Sequence, residues 1–264
     1  MGARAAQRAL EDADVSPTDI DLILYWSFVA DSETPNDGTR IAMEIGASQA
    51  ACIAAEMGLS ATSLALICMA SSFIESGTFD RVLVVTVANW ANRAFEKGTD
   101  IGPVGDGAGA LVLSRGVERS LLGMKHVREP RYIDVISASS SLATGRPEYL
   151  TANKVADFDK FAAQAPVLFL NDFLNEHQIS PEDLTWFLPH QTTDRMCRHW
   201  GESLGFHENQ LLTTFHEHGT LAAASIPIVL DHFRREVPVV NEGDTLLLFA
   251  AGAGFNMIAM LWRL

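Results

Sequence analysis

ISPEDLTWFLPHQ, residues 179–191, repeats the pattern of VSPTDIDLILYWS, residues 15–27. In both, an apolar residue and Ser-Pro-x-Asp precede an apolar strand: Leu22-Ile23-Leu24 in one copy, Trp186-Phe187-Leu188 in the other. Proline directly after a capping serine suits the start of a one-turn helix. The residues just upstream, ALEDAD (9–14) and FLNEH (173–177), read as helix ends. Helix, turn and strand thus occur twice, the mark of an internal duplication.

The parallel continues at nearly the same offset. Ser60 opens an apolar helix that ends near Gly77, followed by a strand from Arg81 to Val87. Thr220 opens another that runs through His232, followed by a strand from Thr245 to Ala250. A glycine-rich segment then closes each half: GDGAGALVL (105–113) and AAGAGFNMIAML (250–261). Near-continuous apolar strands predict sheets covered on both faces. Helices apolar nearly all round belong in the interior. The expectation is a layered α/β sandwich built from two halves, 1–120 and 121–264. Residues 140–165 have no counterpart in the first half and read as a loop and the start of an extra helix.

Composition narrows the function. The 264 residues carry 19 Lys and Arg against 33 Asp and Glu, a formal charge of −14. Such a chain repels nucleic acid and anionic membranes unless it has a local basic patch. No run approaches the roughly 18 apolar residues of a membrane span, and MGARAAQRALEDAD has no signal-peptide apolar core. Three cysteines, Cys52, Cys68 and Cys197, show no paired spacing. That argues for reduced thiols and a cytoplasmic protein.

Four segments offer chemistry. Ser60, at the junction of a small-residue turn and a buried helix in MGLSATSLALICMASSF (57–73), is either a helix cap or a nucleophile facing the positive helix end. In LPHQTTDR (188–195), His190 leaves a buried strand where a general acid or base could act, with Thr192, Thr193 and Asp194 as capping candidates. In FHEHGTLAAAS (215–225), Gly219 allows close backbone approach and Thr220 offers a hydroxyl. His216 and His218 lack the spacing of a helical zinc pair, so no metal is expected. GDGAG is followed by no Gly-Lys-Ser and fails the dinucleotide register; its glycines suit close packing or an exposed amide for an oxyanion.

Together, the SG-x-F-D-R-V-L-V-V passage (76–85), GDGAGALVL, PHQ, HGTLAAASIP (218–227) and GDTLLLFAAGAGF (243–255) resemble the thiolase superfamily, and within it the β-ketoacyl-acyl-carrier-protein synthase III group. The resemblance spans nearly the whole chain and implies a layered αβαβα sandwich. In that family the helix opened here by Ser60 carries a cysteine nucleophile, and a histidine in PHQ and an asparagine in HGN complete the decarboxylating site. Counting back from Ser76-Gly77, Ser60 stands at the cysteine's position and Thr220 at the asparagine's, while His190 matches the histidine.

A serine is a weak nucleophile and needs a base. His190 is the expected base, with Asp194 or Glu217 orienting it. The amides of Ser60 and Ala253 are the expected oxyanion hole. Losing the asparagine removes a donor to the decarboxylation enolate, so acyl transfer is favoured over condensation. Acyl-coenzyme A or an acyl carrier protein is the implied donor, with no bound cofactor, and Arg195 matches a carrier-docking arginine. Family members also begin with a strand ahead of the helix seen here at Ala5–Ala13. Its absence leaves a sheet edge to cover, so a homodimer or a heterodimer with a ketosynthase-like chain is expected. The competing expectation is a catalytically silent ketosynthase-like subunit.

Overall fold

The computed structural model describes residues 1–31, 34–90, 103–116, 121–140, 147–152, 156–237 and 240–264; for 137–140 and 147–152 it describes the backbone. The first half builds helix α1 (Gly2–Ala13), strand β1 (Leu22–Ser27), α2 (Asp37–Ile45), β2 (Ala51–Ala54), α3 (Thr62–Glu75), β3 (Arg81–Ala88) and β4 (Gly107–Ser114). The second builds β5 (Leu121–Arg128), β6 (Ile136–Ser140), β7 (Pro147–Ala152), α4 (Phe158–Glu176), β8 (Trp186–Pro189), α5 (Asp194–Ser203), α6 (Phe215–His218), α7 (Ser225–Glu236), β9 (Thr245–Gly252) and β10 (Asn256–Arg263).

Each half contributes a four-stranded sheet, in the orders β2-β1-β3-β4 and β5-β10-β9-β8. The shared unit is a parallel pair followed by an antiparallel strand. β1 runs parallel to β3 with Leu22 opposite Val82, and β3 antiparallel to β4. β8 runs parallel to β9 with Trp186 opposite Leu246, and β9 antiparallel to β10. β5 extends the second sheet beyond β10, while β4 has no further neighbour among the described strands.

Strand alternation produces the layering. On β1, Leu22, Leu24 and Trp26 face α3, whereas Ile23 and Tyr25 face α1 and α2. α3 turns Leu66, Ala70 and Ile74 to the first sheet, and Leu64 and Ile67 to the second sheet and α7. α4 and α5 cover the far side of the second sheet through Phe169, Phe173 and Trp200. The order is helices, sheet, α3 and α7, sheet, helices: the αβαβα sandwich that the sequence implies.

The two Ser-Pro turns form as short 3₁₀ turns, Pro17–Asp19 and Pro181–Asp183. Ser180 accepts the Glu182 N–H at 3.4 Å while Asp183 accepts the Ser180 N–H at 3.0 Å; Ser16 instead meets the Thr18 hydroxyl. Three local expectations change. Residues 147–152 are not loop but a strand paired antiparallel with β6; a leading proline and a short run with no apolar alternation, Pro-Glu-Tyr-Leu-Thr-Ala, hide the pairing. The helix starting at 158 is the second-half equivalent of α1, since both run into a Ser-Pro turn. Thr220 does not open a helix: it bridges to Val104 as extended chain, and a 3₁₀ turn at Ala222–Ala224 leads into α7.

Candidate active site

Ser60 sits in a 3₁₀ turn, Leu59–Ala61, that feeds α3. The turn is tight because Gly58 and Leu59 both hold positive φ, 73° and 58°. For a leucine this is a strained geometry that persists only where its surroundings impose it. They do so from two sides. Glu56 Oε1 accepts the Leu59 N–H at 2.6 Å, and Thr62 Oγ1 accepts the Met57 N–H at 2.8 Å. From the second half, Ala253 donates its N–H to the Gly58 carbonyl at 2.8 Å. A Cβ on Gly252 would fall 1.6 Å from that carbonyl oxygen, and one on Gly58 would fall 2.2 Å from the Ala253 oxygen. Both positions therefore require glycine.

Ser60 is 8% exposed. Its hydroxyl makes no helix-capping bond, so the cap reading fails. The clamping is done by Glu56 and Thr62, which the sequence reading passed over. The residue at the strained apex is Leu59, one position before the serine.

His190 follows β8 and is fixed at several points. Its N–H bonds the Phe249 carbonyl at 2.7 Å, its carbonyl accepts the Cys197 thiol at 3.6 Å, and its ring lies 6.1 Å from that of Trp200. The Ala251 N–H donates to Nδ1 at 3.1 Å. Burial in this apolar setting pushes the imidazole pKa down to about 3, so the ring is neutral at ordinary pH. With Nδ1 accepting, the one proton sits on Nε2. His190 is thus a hydrogen-bond donor through Nε2 and not the base expected from the sequence.

The expected orienting acids lie elsewhere. Asp194 accepts from Arg198 at 2.8 Å and from the Thr213 hydroxyl at 3.1 Å, and stands 3.4 Å from His216. The Arg198 hydrogen bond holds its carboxyl below the usual range. As a first-turn residue of α5 it compensates the helix end and braces the 213–216 segment. Glu217 is exposed and pairs with His218 at 3.6 Å. The amide of Ala253 is also unavailable as an oxyanion donor here, because Gly58 occupies it.

Thr220 is held by Pro103 and Gly105: its N–H donates to the Pro103 carbonyl at 3.0 Å, and its carbonyl accepts the Gly105 N–H at 3.1 Å. A Cβ on Gly105 would lie 2.0 Å from the His218 oxygen, and one on Gly109 would lie 2.5 Å from Pro227, so these glycines serve close packing, Gly105 against the HGT segment and Gly109 against α7. Gln191 ties the same region together, donating to the Pro189 carbonyl and accepting the Thr214 N–H, both at 2.8 Å.

Ser60, Leu59, His190, Thr220 and Ala253 all line one cavity of about 260 Å³, walled further by Trp90, Phe158, Met196, Trp200 and Phe255. Asp194 does not line it. Arg198 is paired with Asp194 and Glu208, Lys125 with Glu176, and Arg131 with Glu129. Arg195 is exposed on α5 and makes no ion pair with a described residue. Among the described residues no cluster of metal-ligating side chains occurs, and no helix is long and apolar enough to cross a membrane.

Comparison with known proteins gives the family. Residues 50–128 match the family model for 3-oxoacyl-[acyl-carrier-protein] synthase III, and residues 174–264 match that for its C-terminal part. The chain is 28% identical to the β-ketoacyl-[acyl-carrier-protein] synthase III of Neisseria gonorrhoeae (strain NCCP11945) over 270 residues, covering 99% of this chain and 82% of the relative. The corresponding protein of Sphingopyxis alaskensis is 28% identical, with 100% and 83% covered. Among solved structures, 3-oxoacyl-[acyl-carrier-protein] synthase III from Aquifex aeolicus VF5 superposes with a TM-score of 0.88 at 24% identity, covering 100% of this chain and 83% of that one. The priming β-ketosynthase of the R1128 polyketide pathway gives 0.86 at 26%, covering 100% and 80%. With both halves matched in order and the thiolase-type fold in place, this chain belongs to the β-ketoacyl-acyl-carrier-protein synthase III family.

Proposed function

We propose that this chain is an acyltransferase of the ketosynthase III type that takes an acyl group from acyl-coenzyme A or an acyl carrier protein onto Ser60. It then passes the group to a carrier-bound or small-molecule acceptor, in fatty-acid-like or polyketide biosynthesis in the cytoplasm. The observation that carries the reading is the convergence of Ser60, His190 and Thr220 on one largely apolar cavity.

In this reading the thioester carbonyl oxygen accepts from His190 Nε2–H, with Thr220 as a second hydroxyl donor. Such donors act where negative charge develops in the transition state. Ser60 Oγ attacks the carbonyl carbon, the C–S bond breaks, and the serine proton ends on the departing sulfur. With no side-chain base bonded to the Ser60 hydroxyl among the described residues, slow turnover is expected. Arg195 is the proposed contact for an acidic carrier protein. A homodimer or a heterodimer with a ketosynthase-like chain belongs to the same reading.

Thiol release from a panel of acyl-coenzyme A and acyl-carrier thioesters, compared between wild type and Ser60→Ala, tests it. Release that the mutation abolishes supports the reading; equal release contradicts it.

A second reading, a catalytically silent partner subunit, is favoured by one set of observations: Leu59 at the apex of the turn, a histidine that cannot act as base, and an Ala253 amide already bonded to Gly58.

A further inference from the structure

Glu56 precedes the Ser60 turn and joins three elements through one carboxylate. Oε1 accepts the Leu59 N–H at 2.6 Å and faces the Thr62 hydroxyl at 3.5 Å. Oε2 accepts the indole Nε1–H of Trp26, at the end of β1. Trp26 is buried and packs on Phe28 at 6.2 Å between ring centroids. Phe28 in turn meets Trp90 at 4.1 Å, and Trp90 forms part of the cavity wall. Thr62 is fully buried, and its hydroxyl accepts the Met57 N–H.

Two consequences follow. The left-handed Leu59 has its own N–H held by the carboxylate, so Glu56 helps impose the strained turn that presents Ser60. The same carboxylate anchors the indole that begins the aromatic stack leading to the cavity. An anionic acceptor at a helix N-terminus is also favoured by the helix dipole.

We propose that Glu56 is a positioning residue that sets the Ser60 turn and the Trp26–Phe28–Trp90 wall against each other. The proposal rests on the Ser60 reading for its kinetic consequence but not for its structural one. A displaced nucleophile lowers the rate of attack, while thioester binding is kept by the His190 donor and by the walls that Glu56 does not touch, Met196, Trp200 and Phe255.

The test uses the full chain with butyryl-coenzyme A as probe. For wild type, Glu56→Gln and Glu56→Ala, it measures the maximal acylation rate, the half-saturating concentration, and the ¹⁵N–¹H resonances of the Leu59 amide and Trp26 indole. Glu56→Ala is expected to lower the maximal rate about tenfold at unchanged half-saturation, with both resonances displaced. Glu56→Gln keeps one carbonyl acceptor and is expected to recover part of the rate. A wild-type rate with both resonances unmoved in Glu56→Ala overturns the proposal, as does an effect confined to half-saturation.

If wild type forms no adduct, the Ser60 reading fails, and Glu56 is judged on the amide alone. Faster hydrogen exchange at Leu59 in Glu56→Ala upholds its structural role, and equal exchange overturns it. If Glu56→Ala does not fold, Glu56→Gln decides, through a displaced or an unmoved Trp26 indole resonance.

Discussion

Ala251 donates its backbone N–H to His190 Nδ1 across 3.1 Å, and the imidazole that receives it is 2% exposed. The bond joins the end of β8 to the end of β9, so the ring orientation is set by sheet register. It also ties the protonation of one side chain to the stability of the whole fold. In the unfolded chain the histidine takes its proton near pH 6.5; in the folded chain burial lowers the pKa to about 3. Protonation therefore favours unfolding. The contribution is complete above about pH 6.5 and is lost as the pH falls toward 3. Between pH 7.5 and 5.5, urea denaturation should show wild type losing about 1.4 kcal/mol more than His190→Gln. Equal losses would mean that the folded ring titrates freely.

The tautomer gives a second prediction. If Nε2 serves as a donor, an amide can stand in for it. His190→Ala should lower acylation by about 100-fold, and His190→Asn should recover a measurable part of that. If the ring were a base, the two variants would be equally impaired. Initial rates of adduct formation at saturating thioester separate the cases.

The loop contact between Gly58 and Gly252 should tolerate no side chain. Gly252→Ala places a methyl group 1.6 Å from a backbone oxygen, and should cost about 3 kcal/mol or more while opening the cavity. Gly205 also has positive φ, 90°, but an added Cβ meets nothing within 4 Å. Its replacement by alanine should cost only about 1 kcal/mol of backbone strain. Thermal melts of the two variants check the contrast.

Asp194 and Arg195 are adjacent in sequence and should separate in function. Asp194 touches Arg198 and Thr213 and does not line the cavity. Asp194→Asn should change acylation from acyl-coenzyme A by less than about twofold. Arg195→Glu should spare acyl-coenzyme A but weaken use of an acyl carrier protein by about tenfold at low salt, with the difference shrinking as salt rises. Rates with the two donors, measured across ionic strength, check both.

The duplication was legible because the Ser-Pro turns and apolar strands are local features with a fixed period. Close backbone packing was legible in GDGAG and GAG for a similar reason: glycine is required where a Cβ has no room. What sequence could not supply was the partner of each polar group. Asp194 stands four residues after His190, yet its carboxylate turns to Arg198 one helical turn on. The Ala253 amide carries no mark in sequence that Gly58, nearly 200 residues earlier, already holds it. Glu56 gave one faint signal, an acidic side chain just ahead of a helix start. Its link to Trp26 arises only once β1 lies beside the turn. The left-handed Leu59 gave no signal, because leucine is not a residue from which positive φ is inferred.

The most direct test is intact mass after incubation with short acyl-coenzyme A and acyl-carrier thioesters, followed by peptide mapping, with Ser60→Ala as control. Acyl transfer to Ser60 predicts a single acyl adduct on the peptide containing Ser60, absent from the variant. A folded protein that binds the thioesters and gains no mass with any of them would contradict it, and would make this chain a silent subunit.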